Sequence, residues 1–271
     1  MTAADLKVLS ADVEIGLAKP LRLLHITDTH VNLPGPGNPT EEAFTEHFAA
    51  AIDYAVEHDL FVVHTGDLTV FNTPENFAYA KKMLSRVDHI CIIGNHDLTL
   101  PGKVGHNDPV MGATVFPVVQ SYFEHDLSFS SRIVGGVNFV SINNIHYRFK
   151  QEQMERLKAE VARGYPIILL VHIPLFSTEE AAIMAAKGRK FPHMLTPPEK
   201  YRTIFEERNW ARQCGDEATY DTVRYIGSEP AIRVIFAGHL HERHDGICDC
   251  GKRQIITNGV FQGYVREITI Y

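Results

Sequence analysis

The chain reads as an α/β protein, and three observations say so. Short runs rich in Val, Ile and Leu alternate with segments of helical spacing. Glycine and proline punctuate the changeovers, and several of the runs stop abruptly at Asp, Asn or His. Apolar runs of this length are strands, and strands alternating with helices imply parallel pairing through right-handed crossovers.

Leu21 to Thr27 is the first predicted strand, and a helix follows over 41–57, where Phe44, Phe48, Ile52 and Val56 recur every four residues. Leu60 to Thr65 makes the second strand. A helix from Pro74 to Arg86 begins with proline, which suits a first turn whose amide has no partner within the helix. His89 to Ile93 is the third strand. Ser128–Ile133 and Gly136–Ile142 are predicted as neighbouring strands across a Gly135-Gly136 turn. A charged helix, Lys150 to Arg163, leads into the buried strand Pro166–Val171. Residues 174–215 carry several prolines, the basic cluster Lys187-Gly188-Arg189-Lys190 and scattered aromatics, and read as an insertion over one end of the sheet. A helix at Glu217–Ile226, a strand at Ile232–Ala237 and short strands from Arg253 to Tyr271 complete the chain.

The 271 residues are 45% hydrophobic, enough for one large α/β domain or two small ones. No Gly/Ser-rich linker or charge run divides them, so one domain over 1–271 is expected. A net charge of -7 argues against nucleic acid as the main partner, because phosphate binding needs a basic surface. The four cysteines, Cys91, Cys214, Cys248 and Cys250, are too few for a disulfide framework in a chain this long. Cys248 and Cys250 would share one face of a strand as two reduced thiols. With no signal pattern and no membrane-length apolar run, the expected location is the cytoplasm and no membrane is a partner.

The ends of the strands carry the chemistry. The first ends in Asp28-Thr29-His30, the second in Gly66-Asp67 and the third in Gly94-Asn95-His96-Asp97. The strand at 166–171 ends in His172, and the strand at 232–237 in Gly238-His239-Leu240-His241. Ligands of α/β sheets bind at the carboxyl ends of strands, so these residues can converge although far apart in sequence. Carboxylate, imidazole and amide oxygen suit Mn or Fe, and Zn is compatible, whereas the absence of thiolate argues against a structural zinc site.

Two such ions are a recurring device for phosphoester hydrolysis: they acidify a bridging water to hydroxide and hold the phosphoryl oxygens. Asp67, with two oxygens, can bridge them. His96 can protonate the leaving alkoxide as general acid, with Asp97 orienting its ring. Asn95, His96 and His106 are the candidate substrate contacts.

Taken together, Asp28-x-His30, Gly66-Asp67, Gly94-Asn95-His96-Asp97, His172 and Gly238-His239-x-His241 resemble the calcineurin-like metallophosphoesterase superfamily, in the family's order and over most of the chain. The resemblance implies a four-layer αββα sandwich of two mixed sheets and a binuclear centre. It implies one metal on Asp28, His30 and His241, the other on Asn95, His172 and His239, and Asp67 shared. Protein phosphatases of this superfamily carry Asp-Arg-Gly after the second block and Glu after Asn-His; here Leu68 follows Asp67 and Asp97 follows His96. The pattern is similar to that of bacterial phosphodiesterases acting on cyclic nucleotides and glycerophosphodiesters, although Leu240 stands where that group often has Thr. The expected activity is phosphodiester hydrolysis of a small substrate, a nucleotide among the candidates. Monoesterase, nuclease and non-catalytic metal scaffold are the alternatives.

Outside the motifs, His25 and His64 are expected as strand residues or hydrogen-bond partners of the ligands. His47, His58, His125 and His244 are expected in solvent. Lys187, Arg189 and Lys190 would either meet a phosphate or form a solvated face, and Phe191, His193 and Tyr201 would either stack on a base or form a local core.

Overall fold

The structure, a computed structural model, describes residues 5–33, 42–101, 109–189, 193–201 and 214–271. His106, Lys190 and Phe191 lie outside the described residues. The chain divides into two compact units, Met1–Leu127 with Thr257–Tyr271, and Ser128–Ile256.

The first unit contains strands β1 (Lys7–Val13), β2 (Leu21–Ile26), β3 (Phe61–Thr65) and β4 (His89–Ile92), with helices α1 (Glu42–Glu57), α2 (Pro74–Leu84) and α3 (Pro109–Gln120). The second contains β5 (Phe129–Val134), β6 (Val137–Ile142), β7 (Ile167–Leu170), β8 (Ile232–Ala237), β9 (His244–Ile247) and β10 (Arg253–Ile256), with α4 (Gln151–Val161), α5 (Thr178–Ala186) and α6 (Glu217–Ser228). The chain then returns to the first unit as β11 (Tyr264–Ile270).

Each unit is built on one mixed sheet flanked by helices, the α/β class expected from the alternation of elements. The first sheet has the order β1-β11-β2-β3-β4, in which β2, β3 and β4 run parallel. The second has the order β5-β6-β7-β8-β10-β9, with β6, β7, β8 and β10 parallel. Strands that run parallel side by side end together. Adjacent β2, β3 and β4 therefore bring Asp28, Asp67 and Asn95 to one edge of their sheet, and adjacent β7 and β8 do the same for His172 and His239.

β3 and β7 are buried throughout, which is why their sequences are continuous apolar runs rather than alternating ones. In α1 the strict four-residue spacing runs off the buried face. Each step of four turns the helix about 40° too far, so Phe48 and Ile52 are buried while Val56 is 48% exposed. Ala51 and Ala55 take over the buried stripe.

Several elements escaped the sequence reading. β1 pairs with β11 in parallel although they lie at opposite ends of the chain, a pairing that no local signal announces. β9 is the outer strand of a hairpin with β10. Within 174–215, α5 is capped by the Ser177 hydroxyl on the Glu180 amide. Leu175, Ala181, Met184, Met194 and Leu195 from this stretch belong to the core of the second unit. Among the described residues, no helix is long and apolar enough to cross a membrane.

Candidate metal centre

The backbone itself marks five of the candidate ligand positions. Asp28, His30, Asp67, His239 and His241 all adopt left-handed φ angles, between 48° and 69°. Non-glycine residues rarely sit there, and Asp and His are among the few that tolerate it. The conformation costs free energy, and such residues concentrate where surrounding contacts hold them for a purpose.

In the first unit those contacts are hydrogen bonds between the loops after β2 and β3. The Asp28 amide donates to Gly66 O at 2.9 Å, the His30 amide to Asp67 O at 3.1 Å and the Val31 amide to Leu68 O at 2.9 Å. The Thr27 hydroxyl donates to Asp28 Oδ2 at 2.7 Å, and the Thr29 hydroxyl to Leu68 O at 2.9 Å. Ligand atoms of Asp28, His30 and Asp67 all lie within 4.8 Å of one another, and all three residues are buried. Two carboxylates and an imidazole, desolvated together, form a donor set that fits a hard or borderline divalent cation.

The loop after β4 wraps onto Asp67. The His96 amide donates to Asp67 Oδ1 at 2.8 Å. Gly94 makes that approach possible, because a Cβ there would run into the Asp67 carboxylate and amide, coming 2.7 Å from its Cγ. The His96 ring stands edge-on to the His30 ring, centroids 4.7 Å apart, and His96 is half-buried. Asn95 is 2% exposed and precedes the short 3-10 turn His96–Leu98.

Asp97 has a different task from the one the sequence indicated. Its Oδ1 accepts from the Thr69 amide at 2.8 Å and the Thr69 hydroxyl at 3.1 Å. Its Oδ2 accepts from the Gly94 amide at 2.8 Å and the Leu68 amide at 3.2 Å. The carboxylate therefore ties the loop after β4 to the loop after β3 and does not orient the His96 ring. Burial pushes its pKa up to about 7, with the Asp67 charge adding to the effect and the amides of Gly94, Thr69 and Leu68 opposing it.

His25 and His64 brace the same loops, as expected. His25 bonds Thr65 Oγ1 at 2.9 Å through Nε2 and Thr257 Oγ1 at 2.8 Å through Nδ1. Burial, reinforced by Arg266, drives its pKa well below the usual imidazole range, so it is a neutral ring. His64 lies 3.1 Å from the Thr29 hydroxyl and accepts from the Gly66 amide at 3.1 Å.

The second unit presents His172 and His239 with ligand atoms within 4.8 Å of each other and ring centroids 5.0 Å apart. Asn144 grips the backbone beside His172 from both sides, donating to Ile173 O at 2.6 Å and accepting from the Ile173 amide at 3.1 Å. The Tyr147 hydroxyl sits 2.9 Å from His239 Nε2, and Tyr147 is itself fully buried with φ of 57°. The sequence reading missed both residues. The signal was present: Asn143-Asn144 follows the apolar run of β6, as the other polar groups follow theirs. Leu240, the departure from the phosphodiesterase pattern, is 1% exposed and belongs to the core, so its side chain is an anchor for the loop that carries His239 and His241. Arg189 donates to Leu240 O at 3.0 Å and Lys187 pairs with Glu242 at 2.7 Å, so both bases brace this loop. The His193 ring lies 6.5 Å from that of His239, whereas Tyr201 packs on the core.

All four histidines expected in solvent are engaged. His244 is buried and paired with Glu180 at 2.9 Å, His125 bonds Cys91 O at 2.9 Å and His47 bonds Phe261 O at 2.8 Å. His58 bonds Tyr54 O at the end of α1, at 2.9 Å.

Comparison with known proteins agrees with this chemistry. Residues 21–243 match the family model described as calcineurin-like phosphoesterase. The DNA double-strand break repair protein Mre11 of Sulfolobus acidocaldarius is 29% identical over 164 residues, 56% of this chain and 41% of that protein. The chain thus spans well under half the length of that relative. The crystal structure of a dimetal phosphatase from Danio rerio superposes with a TM-score of 0.56 over 89% of this chain and 88% of that one, at 13% identity, a likeness of fold. With the motifs in order and the family model covering most of its length, the chain belongs to the calcineurin-like phosphoesterases.

Proposed function

We propose that this protein is a metal-dependent phosphodiesterase acting on small phosphoesters. Supporting this reading above all is the clustering of Asp28, His30 and Asp67 in left-handed backbone, an arrangement that costs stability. Asp28, His30 and His241 would hold one metal, Asn95, His172 and His239 the other, and Asp67 both, with Mn or Fe the best-suited ions. When bound, such a pair supplies positive charge for the phosphoryl oxygens and lowers the pKa of water toward neutrality.

The chain's own groups do the rest. His96 gives a proton from its ring to the leaving oxygen, and its backbone amide steadies Asp67. Asp97 holds the loop that carries Asn95 and His96. Asn144 and Tyr147 fix the ligands of the second unit. Asn95 and His96, together with His106, are the proposed substrate contacts.

The test is turnover of bis(p-nitrophenyl) phosphate with Mn, set beside cyclic nucleotides, glycerophosphodiesters, monoesters and single-stranded DNA. Asp67→Ala and Asn95→Ala should each abolish turnover. Full metal-dependent activity in both variants would overturn the ligand assignment, and no turnover with any divalent ion would favour a non-catalytic scaffold. One observation favours a nuclease as the second reading: the similarity to a DNA repair protein. The charge of -7 weighs against it.

A further inference from the structure

Away from the metal ligands, Cys248 and Cys250 meet at the turn between β9 and β10, not along a strand. The Gly251 amide donates to Cys248 O at 2.8 Å and the Cys248 amide to Lys252 O at 2.9 Å, closing a tight turn with Gly251 at φ of 88°. This turn is clamped from outside. The Asp249 amide donates to Phe176 O at 2.9 Å, and the Asp249 carboxylate accepts from the Thr178 amide at 2.7 Å and hydroxyl at 2.8 Å. Gly227 of α6 packs so closely that a Cβ would strike Cys250 O.

Within this frame the two sulfurs lie 3.3 Å apart, against about 2.05 Å in a disulfide. Cys248 is buried, whereas Cys250 is half-buried and lines a cavity of about 400 Å³ with Asp249, Phe176, Tyr220 and Arg224. One thiol is thus reachable and its partner is held behind it, the arrangement of an attacking and a resolving cysteine. The Cys248 hydrogen bond lowers the pKa of Cys250 to about 7, and Cys248 correspondingly moves up.

We propose that Cys248 and Cys250 form a thiol–disulfide exchange site that takes low-molecular-weight disulfides and closes to an intramolecular Cys248–Cys250 bond. In the first step the Cys250 thiolate attacks one sulfur of the small disulfide, forming a mixed disulfide and releasing one small thiolate. In the second, Cys248 gives up its proton, attacks Cys250 Sγ and releases the second small thiolate. Two protein thiols are oxidised, one disulfide is reduced to two thiols, and the two protons from the protein balance the two leaving thiolates. The site is independent of the phosphoester reading.

The experiment incubates the reduced, folded protein with glutathione disulfide at neutral pH, alkylates the remaining thiols and follows the tryptic peptide His244–Lys252 by mass spectrometry. The expected product is that peptide lacking two hydrogens and carrying no alkyl group. In Cys248→Ser, which removes the resolving thiol, Cys250 should instead retain glutathione. Full alkylation of both cysteines in the parent, a persistent glutathione adduct on its Cys250, or closure only after denaturation in urea would each overturn the proposal.

Discussion

Replacing Asp97 separates two roles that a carboxylate next to a proposed catalytic histidine can play. In Asp97→Ala the amides of Gly94, Leu68 and Thr69 lose their acceptor in a site that is fully buried. A buried donor left without a partner costs about 1–3 kcal/mol, and some relaxation of the loop offsets part of the sum, so a loss of about 4 kcal/mol is expected. Asp97→Asn keeps the shape but must turn its NH2 group toward either the Thr69 amide or the amides of Gly94 and Leu68. It should therefore cost about 2 kcal/mol. For a chain of this size each kcal/mol lowers the melting temperature by roughly 2–4 °C, giving roughly 4–8 °C for Asn and about twice that for Ala. Thermal unfolding followed by circular dichroism in EDTA reads this without interference from bound metal. If Asp97 served only to orient the His96 ring, both variants would melt within about 1 °C of the parent and lose activity alone; that outcome refutes the loop-clamp role.

Tyr147→Phe removes only the hydroxyl 2.9 Å from His239 Nε2. If His239 is a metal ligand as proposed, loss of this hydrogen-bond partner costs about tenfold in metal affinity, so calorimetric titration with Mn should show that weakening, and unchanged affinity would dismiss Tyr147 as a positioning residue. The buried His244–Glu180 pair raises the histidine pKa above its usual value, chiefly because the ring N–H donates to the Glu180 carboxylate. A raised imidazole pKa stabilises the fold fully below the unfolded value and less as pH climbs through the folded one. Urea midpoints of the parent should thus decline above about pH 6.5 and Glu180→Gln should flatten that decline; parallel pH profiles would rule the pair out as its source.

How much of the site was legible depended on how local each signal was. Asp28, His30, Asp67, Asn95, His172, His239 and His241 could be picked out because each follows an apolar run directly, and the end of a buried strand is a local property of the chain. The turn Gly94-Asn95-His96-Asp97 could likewise be read as a functional loop. The partner of Asp97 could not. Its acceptor geometry is satisfied by amides of residues 68 and 69, in a loop that reaches it only because β3 and β4 are neighbours. The same limit hid Tyr147, whose neighbour His239 is brought near by the second unit's sheet, and it hid the burial of His244 against α5.

The sequence by itself determined the fold class, the candidate ligand residues and the family, because residue type, apolar periodicity and motif order are written along the chain. Only the tertiary structure decided what the supporting groups do. A hydrogen bond is made over about 3 Å, and the chain positions that meet within that distance are chosen by strand pairing and packing. Asp97 is the case in point: its identity was plain in the sequence, and its work as the tie between two loops followed only from the amides that surround it.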